Sequence, residues 1–99
     1  MSLRVNHHCH AHACTALVAP SLLMCRAHWA MVPNELRFPL LRAHRAGQCR
    51  DKRPSAAYLA AQRACVAHVA RAEGHNKAAD YYDAMAATWR AKAAAGDEP

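Results

Sequence analysis

Isoleucine is absent from this sequence, phenylalanine occurs once and glycine three times in 99 residues. The 54% hydrophobic content therefore overstates the core, because alanine supplies much of it. Alanine favours helix but removes little area from water, so a packed alanine stabilises far less than a leucine. Gly47, Gly74 and Gly96 are too few and too scattered to build a glycine-rich phosphate loop. Acidic residues are also scarce, seven against thirteen lysines and arginines, for a formal charge of +6. No apolar run spans a bilayer. The stretch from Ala16 to Met24 is broken by Pro20 and Ser21, and Arg26 and His28 stop it well short of the ~20 residues needed. The same interruptions leave no convincing secretory signal after Arg4.

Known catalytic patterns are missing too. There is no His-Glu-x-x-His, no His-x-Glu paired with Pro-Cys-x-x-Cys, and no Ser/His/Asp arrangement. The expectation is a non-enzymatic protein. Five cysteines, an odd number, argue against a fully paired disulfide framework. In a reducing cytoplasm, thiols clustered with histidines more often bind metal.

Cysteine and histidine are what this chain has in excess. The pattern Cys9-x4-Cys14-x10-Cys25-x2-His28 offers three thiolates and one imidazole. Zinc takes four such donors in a tetrahedron at ~2.0–2.3 Å, and donors a few residues apart converge from one turn. Cys25 and His28, at i and i+3, fall on one side of a helical turn, with Trp29 behind them. The intervening "TALVAPSLLM" reads as an irregular hairpin with Pro20-Ser21 at its tip. Cys9, Cys14, Cys25 and His28 are the predicted zinc ligands, with His7, His8, His10 and His12 competing for the fourth position. Cys65 reads as a core thiol, and Cys49 as a lone thiol in a basic loop with no base to assign to it.

Residues 1–8 are expected to form a mobile leader, 9–32 the zinc-binding segment, 33–95 a helical region and 96–99 a disordered tail. Helices are predicted over about 34–46, 55–73 and 76–95. The first begins at Pro33 or with Asn34 as cap, and Gly47 closes it, with Leu36, Leu40, Leu41 and His44 sharing a face. Pro39 is awkward inside it. Pro54 or Ser55 opens the second and Gly74 closes it; its stripe is Tyr58, Cys65 and Val69. Asn76 caps the third, with Ala78, Tyr82, Met85 and Trp89 on its stripe. The predicted fold is mainly α: an N-terminal treble-clef-like zinc knuckle packed on a small helical domain with an antiparallel helix hairpin. Arg37, Arg42, Arg45, Arg50, Lys52 and Arg53 form a basic stretch suited to phosphate or an acidic partner.

The blocks Met24 to Pro33 ("MCRAHWAMVP"), Gly47-Gln48 and Asp51 to Ser55 ("DKRPS"), following the Cys-His opening at Cys9, resemble small zinc-finger-like proteins encoded by bacteriophages and prophages. The likeness covers roughly residues 9–73; Pro39 and Cys49 depart from the pattern. It implies a zinc module of phage origin acting in the cytoplasm of a bacterial host. The expected partner is a host protein or complex, as for an accessory factor that inhibits a defence or regulatory assembly. Nucleic acid is the alternative partner, no membrane is expected, and the chain is read as a monomer or homodimer.

Overall fold

The computed structural model describes residues 7–44 and 54–96. Within them the chain is mainly helical: α1 (Arg26–Trp29), α2 (Asn34–Ala43), α3 (Ala56–Ala72) and α4 (Asn76–Ala94), with no strand among the described residues. No helix among them is long and apolar enough to cross a membrane.

The stretch ahead of α1 is held by backbone hydrogen bonds that do not form a regular ladder. The Val18 N–H donates to the His7 carbonyl at 3.0 Å and the Cys9 N–H to Ala16 at 2.8 Å, around an isolated bridge between His8 and Leu17. His7 and His8, expected in a mobile leader, are thus paired. The His10 N–H then donates to Leu23 at 2.9 Å. A turn does form around Pro20-Ser21, closed by the Leu22 N–H on the Ala19 carbonyl at 2.9 Å. Its two arms pair with residues 7–10 rather than with each other. That difference from the expected hairpin brings Cys9 beside the approach to Cys25.

α2 starts one residue earlier than a cap at Asn34 implies. Pro33 holds the N-cap position and no side chain caps the helix. Proline is suited to a helix start, since its missing N–H is one that no helix bond would use. Pro39 lies inside the helix, which nevertheless continues to Ala43 before His44 turns extended, so α2 stops short of the predicted residue 46. Gly47 and Cys49 lie outside the described residues. Leu40 is buried and Leu36 half-buried, but Leu41 points outward, 58% exposed. The shared face narrows to the i, i+4 pair that meets α3.

α3 is the central helix. The Ser55 hydroxyl accepts the Tyr58 N–H at 3.0 Å, an N-cap of the expected kind. At the other end Gly74 adopts φ +87°, the left-handed conformation that costs other residues energy. There the His75 N–H reaches the Ala70 carbonyl at 2.8 Å and the Gly74 N–H reaches Arg71 at 3.1 Å. Those two bonds make the Schellman stop that ends α3 and reverses the chain into α4. His75, not Asn76, occupies the N-cap position of α4.

The core is assembled from both described stretches. Cys9, Ala11, Leu23, Met24, Val32 and Leu40 cluster with Cys65, Val66 and Val69 of α3. The α3 stripe is close to expectation, with Cys65 and Val69 fully buried and Tyr58 at its edge. On α4, however, the buried residues are Ala79 and Ala86, two turns apart, while Tyr82, Met85 and Trp89 are only half-buried beside them. Small side chains let helices approach closely, and the most extensive helix contact is that between α3 and α4.

Candidate metal centre

Three pieces of local structure deliver the four cluster residues. Cys9 follows the His8–Leu17 bridge and is buried. Cys14 ends a tight turn in which its N–H donates to the Ala11 carbonyl at 3.0 Å. That turn sets Ala13 at φ +67°, a conformation for which glycine or asparagine is usual. Cys25 stands at the start of α1 and His28 one turn later.

The four donor atoms, three Sγ and one imidazole nitrogen, all lie within 4.8 Å of one another. His28 Nδ1 is 3.3 Å from Cys25 Sγ and 3.5 Å from Cys9 Sγ. A tetrahedral zinc with ordinary bond lengths separates its donors by about 3.5–3.8 Å. The sulfur–nitrogen spacings sit close to that. The set fits a metal ion, and no cysteine among the described residues is in a disulfide. His7, His8, His10 and His12 are not in the cluster: His7 pairs its Nε2 with the Leu22 carbonyl at 2.9 Å, and the His12 ring rests 5.1 Å from that of His75.

The thiols are tuned differently. Burial pushes the Cys9 thiol up to about 11. The Cys25 thiol is drawn down to about 7, first by the backbone N–H of His28 and against the effect of burial. Burial pulls the His28 imidazole down, but hydrogen bonds to Cys25 and Glu73, with the negative charge of Glu73, outweigh it and the net shift is upward. Metal ligands must be deprotonated, so an incoming cation displaces protons here, the Cys9 proton foremost.

Glu73 is the residue that sequence reasoning missed. Its carboxylate accepts from His28 Nε2 at 3.0 Å, across 45 residues of chain. With the proton held on Nε2, Nδ1 presents its lone pair to the sulfurs. Metal-binding histidines generally have such a partner on the second nitrogen, which fixes tautomer and ring orientation. One signal was available. Glu73 stands just before Gly74 at the predicted helix end, where a negative charge opposes the helix dipole.

Of the predicted basic contacts, Arg37 is turned inward. It donates to the Trp29 carbonyl at 2.8 Å, and its guanidinium lies 5.1 Å from the centre of the Trp29 ring. This cation–π contact holds the Trp29 ring, which packs against the core. Arg42 is exposed, while Arg45, Arg50, Lys52 and Arg53 lie outside the described residues.

No protein family, no curated protein and no solved structure matches this chain.

Proposed function

We propose that the chain is a non-enzymatic, zinc-stabilised protein that works by binding another protein. Its N-terminal part is read as a treble-clef-like knuckle seated on an antiparallel helix hairpin formed by α3 and α4. The observation that carries the zinc assignment is the convergence of Cys9, Cys14, Cys25 and His28, with Glu73 behind the histidine. Three sulfurs and an imidazole suit zinc, whereas magnesium and calcium take oxygen. Four protein donors fill a tetrahedral shell and leave no position for a reacting water, which is the arrangement of structural sites. A closed site of this type makes a stiff platform from a composition with few large apolar residues. Native mass spectrometry of the reduced protein, with and without chelator, tests this. One zinc per chain, lost on chelation with a falling melting temperature, is expected; an unchanged mass and melting curve would end the zinc assignment.

The phage resemblance supports a host protein or complex as the partner, and inhibition of a defence or regulatory assembly as the task. Reduced thiols suit the cytoplasm of a bacterial host. Nucleic acid is the second reading, favoured by one observation. Up to residue 53 the chain carries Arg4, Arg26, Arg37, Arg42, Arg45, Arg50, Lys52 and Arg53 against only Glu35 and Asp51. With Arg37 turned inward, five phosphate contacts, from Arg42 through Arg53, would give a log–log salt slope of about −4.5 on duplex DNA. Absence of binding at low salt removes this reading.

A further inference from the structure

A groove of about 440 Å³ opens between the 21–24 segment, α1, the C-terminal part of α2 and Tyr58 of α3. Leu22, Met24, Leu41 and Tyr58 give it apolar walls. Leu22 is 52% exposed and Leu41 58% exposed, which is unusual for large side chains in a protein with so few of them. Phe38, one turn before Leu41 on α2 and outside the groove lining, is also 52% exposed. Burying such side chains is worth roughly 1.5–3 kcal/mol each, so leaving three in water forgoes much of what this small core could gain.

Among the described residues that line the groove, Arg26 and His44 are the basic ones and none is a carboxylate. Arg42 follows Leu41 and is exposed. Within residues 7–44 the sole carboxylate is Glu35, in the first turn of α2, at the end opposite Leu41 and His44. We infer that this groove is a docking site for an acidic peptide segment of a partner protein, one that inserts two or three leucine or aromatic side chains and sets Asp or Glu beside Arg26 and Arg42. The inference rests on the protein-binding reading above and names its surface.

Charge decides against the other occupants. A second copy docking through this half would bring two basic surfaces together. In the other half, Asp80 and Asp83 are already engaged by Arg71, at 2.7 and 2.9 Å. Nucleic acid is matched by rows of cations beside open stacking platforms, whereas Arg26 is the one arginine among the described lining residues and the Trp29 ring is already covered by Arg37. An apolar centre with a charged rim is how peptide grooves divide affinity from selectivity.

The test uses the full-length zinc-loaded protein and a random peptide library displayed on yeast. Enriched peptides are expected to combine leucine, phenylalanine or tryptophan with aspartate or glutamate, and to bind more weakly as salt rises. Leu41→Ser and Leu22→Ser should each weaken the best peptide about tenfold, the effect expected of a central apolar anchor. Arg26→Glu should weaken it similarly, and Tyr81→Ser, at an exposed aromatic of α4, should leave it unchanged. Native mass spectrometry confirms one zinc in each variant, Arg26 being next to a ligand. Enriched peptides that are basic or uncharged, or that ignore Leu22, Leu41 and Arg26, overturn the groove assignment while leaving a protein-binding role intact. A dimer that dissociates on Leu41→Ser overturns it in favour of self-association. A library with no binders at all overturns it and counts against the wider reading as well.

Discussion

Residues 7–44 and residues 54–96 are of similar length, yet they hold themselves together with different materials. The first stretch has two short helices, an isolated bridge and a turn with Ala13 in a left-handed conformation. It brings four potential metal donors together from three places in the chain. The second stretch is two long helices with a serine cap, a Schellman stop and faces of buried alanine. Order there is local, each residue reinforced by neighbours three or four positions away. The halves also differ in charge: beyond residue 53, Arg63, Arg71, Lys77, Arg90 and Lys92 are balanced by Glu73, Asp80, Asp83, Asp97 and Glu98. The comparison teaches that one chain can divide its tasks. A helical half supplies a support that folds from local signals, and an irregular half supplies exposed chemistry.

Removing the metal should separate the two halves most strongly. Structural zinc contributes an apparent ~10–16 kcal/mol in small finger peptides, so Cys14→Ser or chelation should unfold residues 7–44 while much of α3 and α4 persists. Amide exchange reads this directly: the Cys9, His10 and Val18 amides should lose protection, and amides in the middle of α4 should keep it. If all amides lose protection together, the halves are one cooperative unit and the comparison fails.

The Glu73–His28 hydrogen bond joins the halves, and so its loss is expected to come next. Glu73→Ala should weaken zinc binding about 10–100-fold in a chelator competition, the usual cost of removing the partner of a metal-bound histidine. Glu73→Gln, which keeps an acceptor oxygen, should fall between.

Cys65 tests the core that both halves share. Burial holds its thiol up at about 11, and its Sγ donates to the Leu36 carbonyl at 3.5 Å. A raised thiol pKa favours the protonated folded form, so its contribution is complete below the ordinary value near 9 and is lost as pH climbs to about 11. Zinc-loaded protein should lose up to about 2 kcal/mol over that window, and Cys65→Ala should remove the step while costing about 1 kcal/mol at neutral pH.

The two smallest effects contrast the turn chemistry of the halves. Ser55→Ala should destabilise the helical half by about 1 kcal/mol, through the lost cap on Tyr58. Ala13→Gly should stabilise the knuckle by about 0.5–1 kcal/mol, because glycine adopts the left-handed turn without steric cost. Thermal melts of each variant measure both, and a destabilised Ala13→Gly would show that the turn is not strained.

Local signals read well and distant ones did not. Ser55, Gly74 and the i, i+3 pair of Cys25 and His28 act within a single turn, and the structure uses each as expected. The α4 stripe is only half legible, because the small Ala79 and Ala86 are the buried residues while the larger Tyr82, Met85 and Trp89 stay half-buried. Leu41 shares a predicted face with Leu36 and Leu40, yet Leu40 is buried and Leu41 is 58% exposed. Periodicity gives a face but not its width.

The sequence by itself determined the donor types, their spacing, the helix punctuation and the excess of positive charge, since these depend on residue chemistry and on contacts a few positions apart. Only the tertiary structure decided which histidine joins the cysteines, that Glu73 holds its ring, and which large side chains stay in water. Those outcomes rest on meetings between residues far apart in the chain, 45 positions in the case of His28 and Glu73. Spacing carries no information about such meetings until the intervening helices have packed.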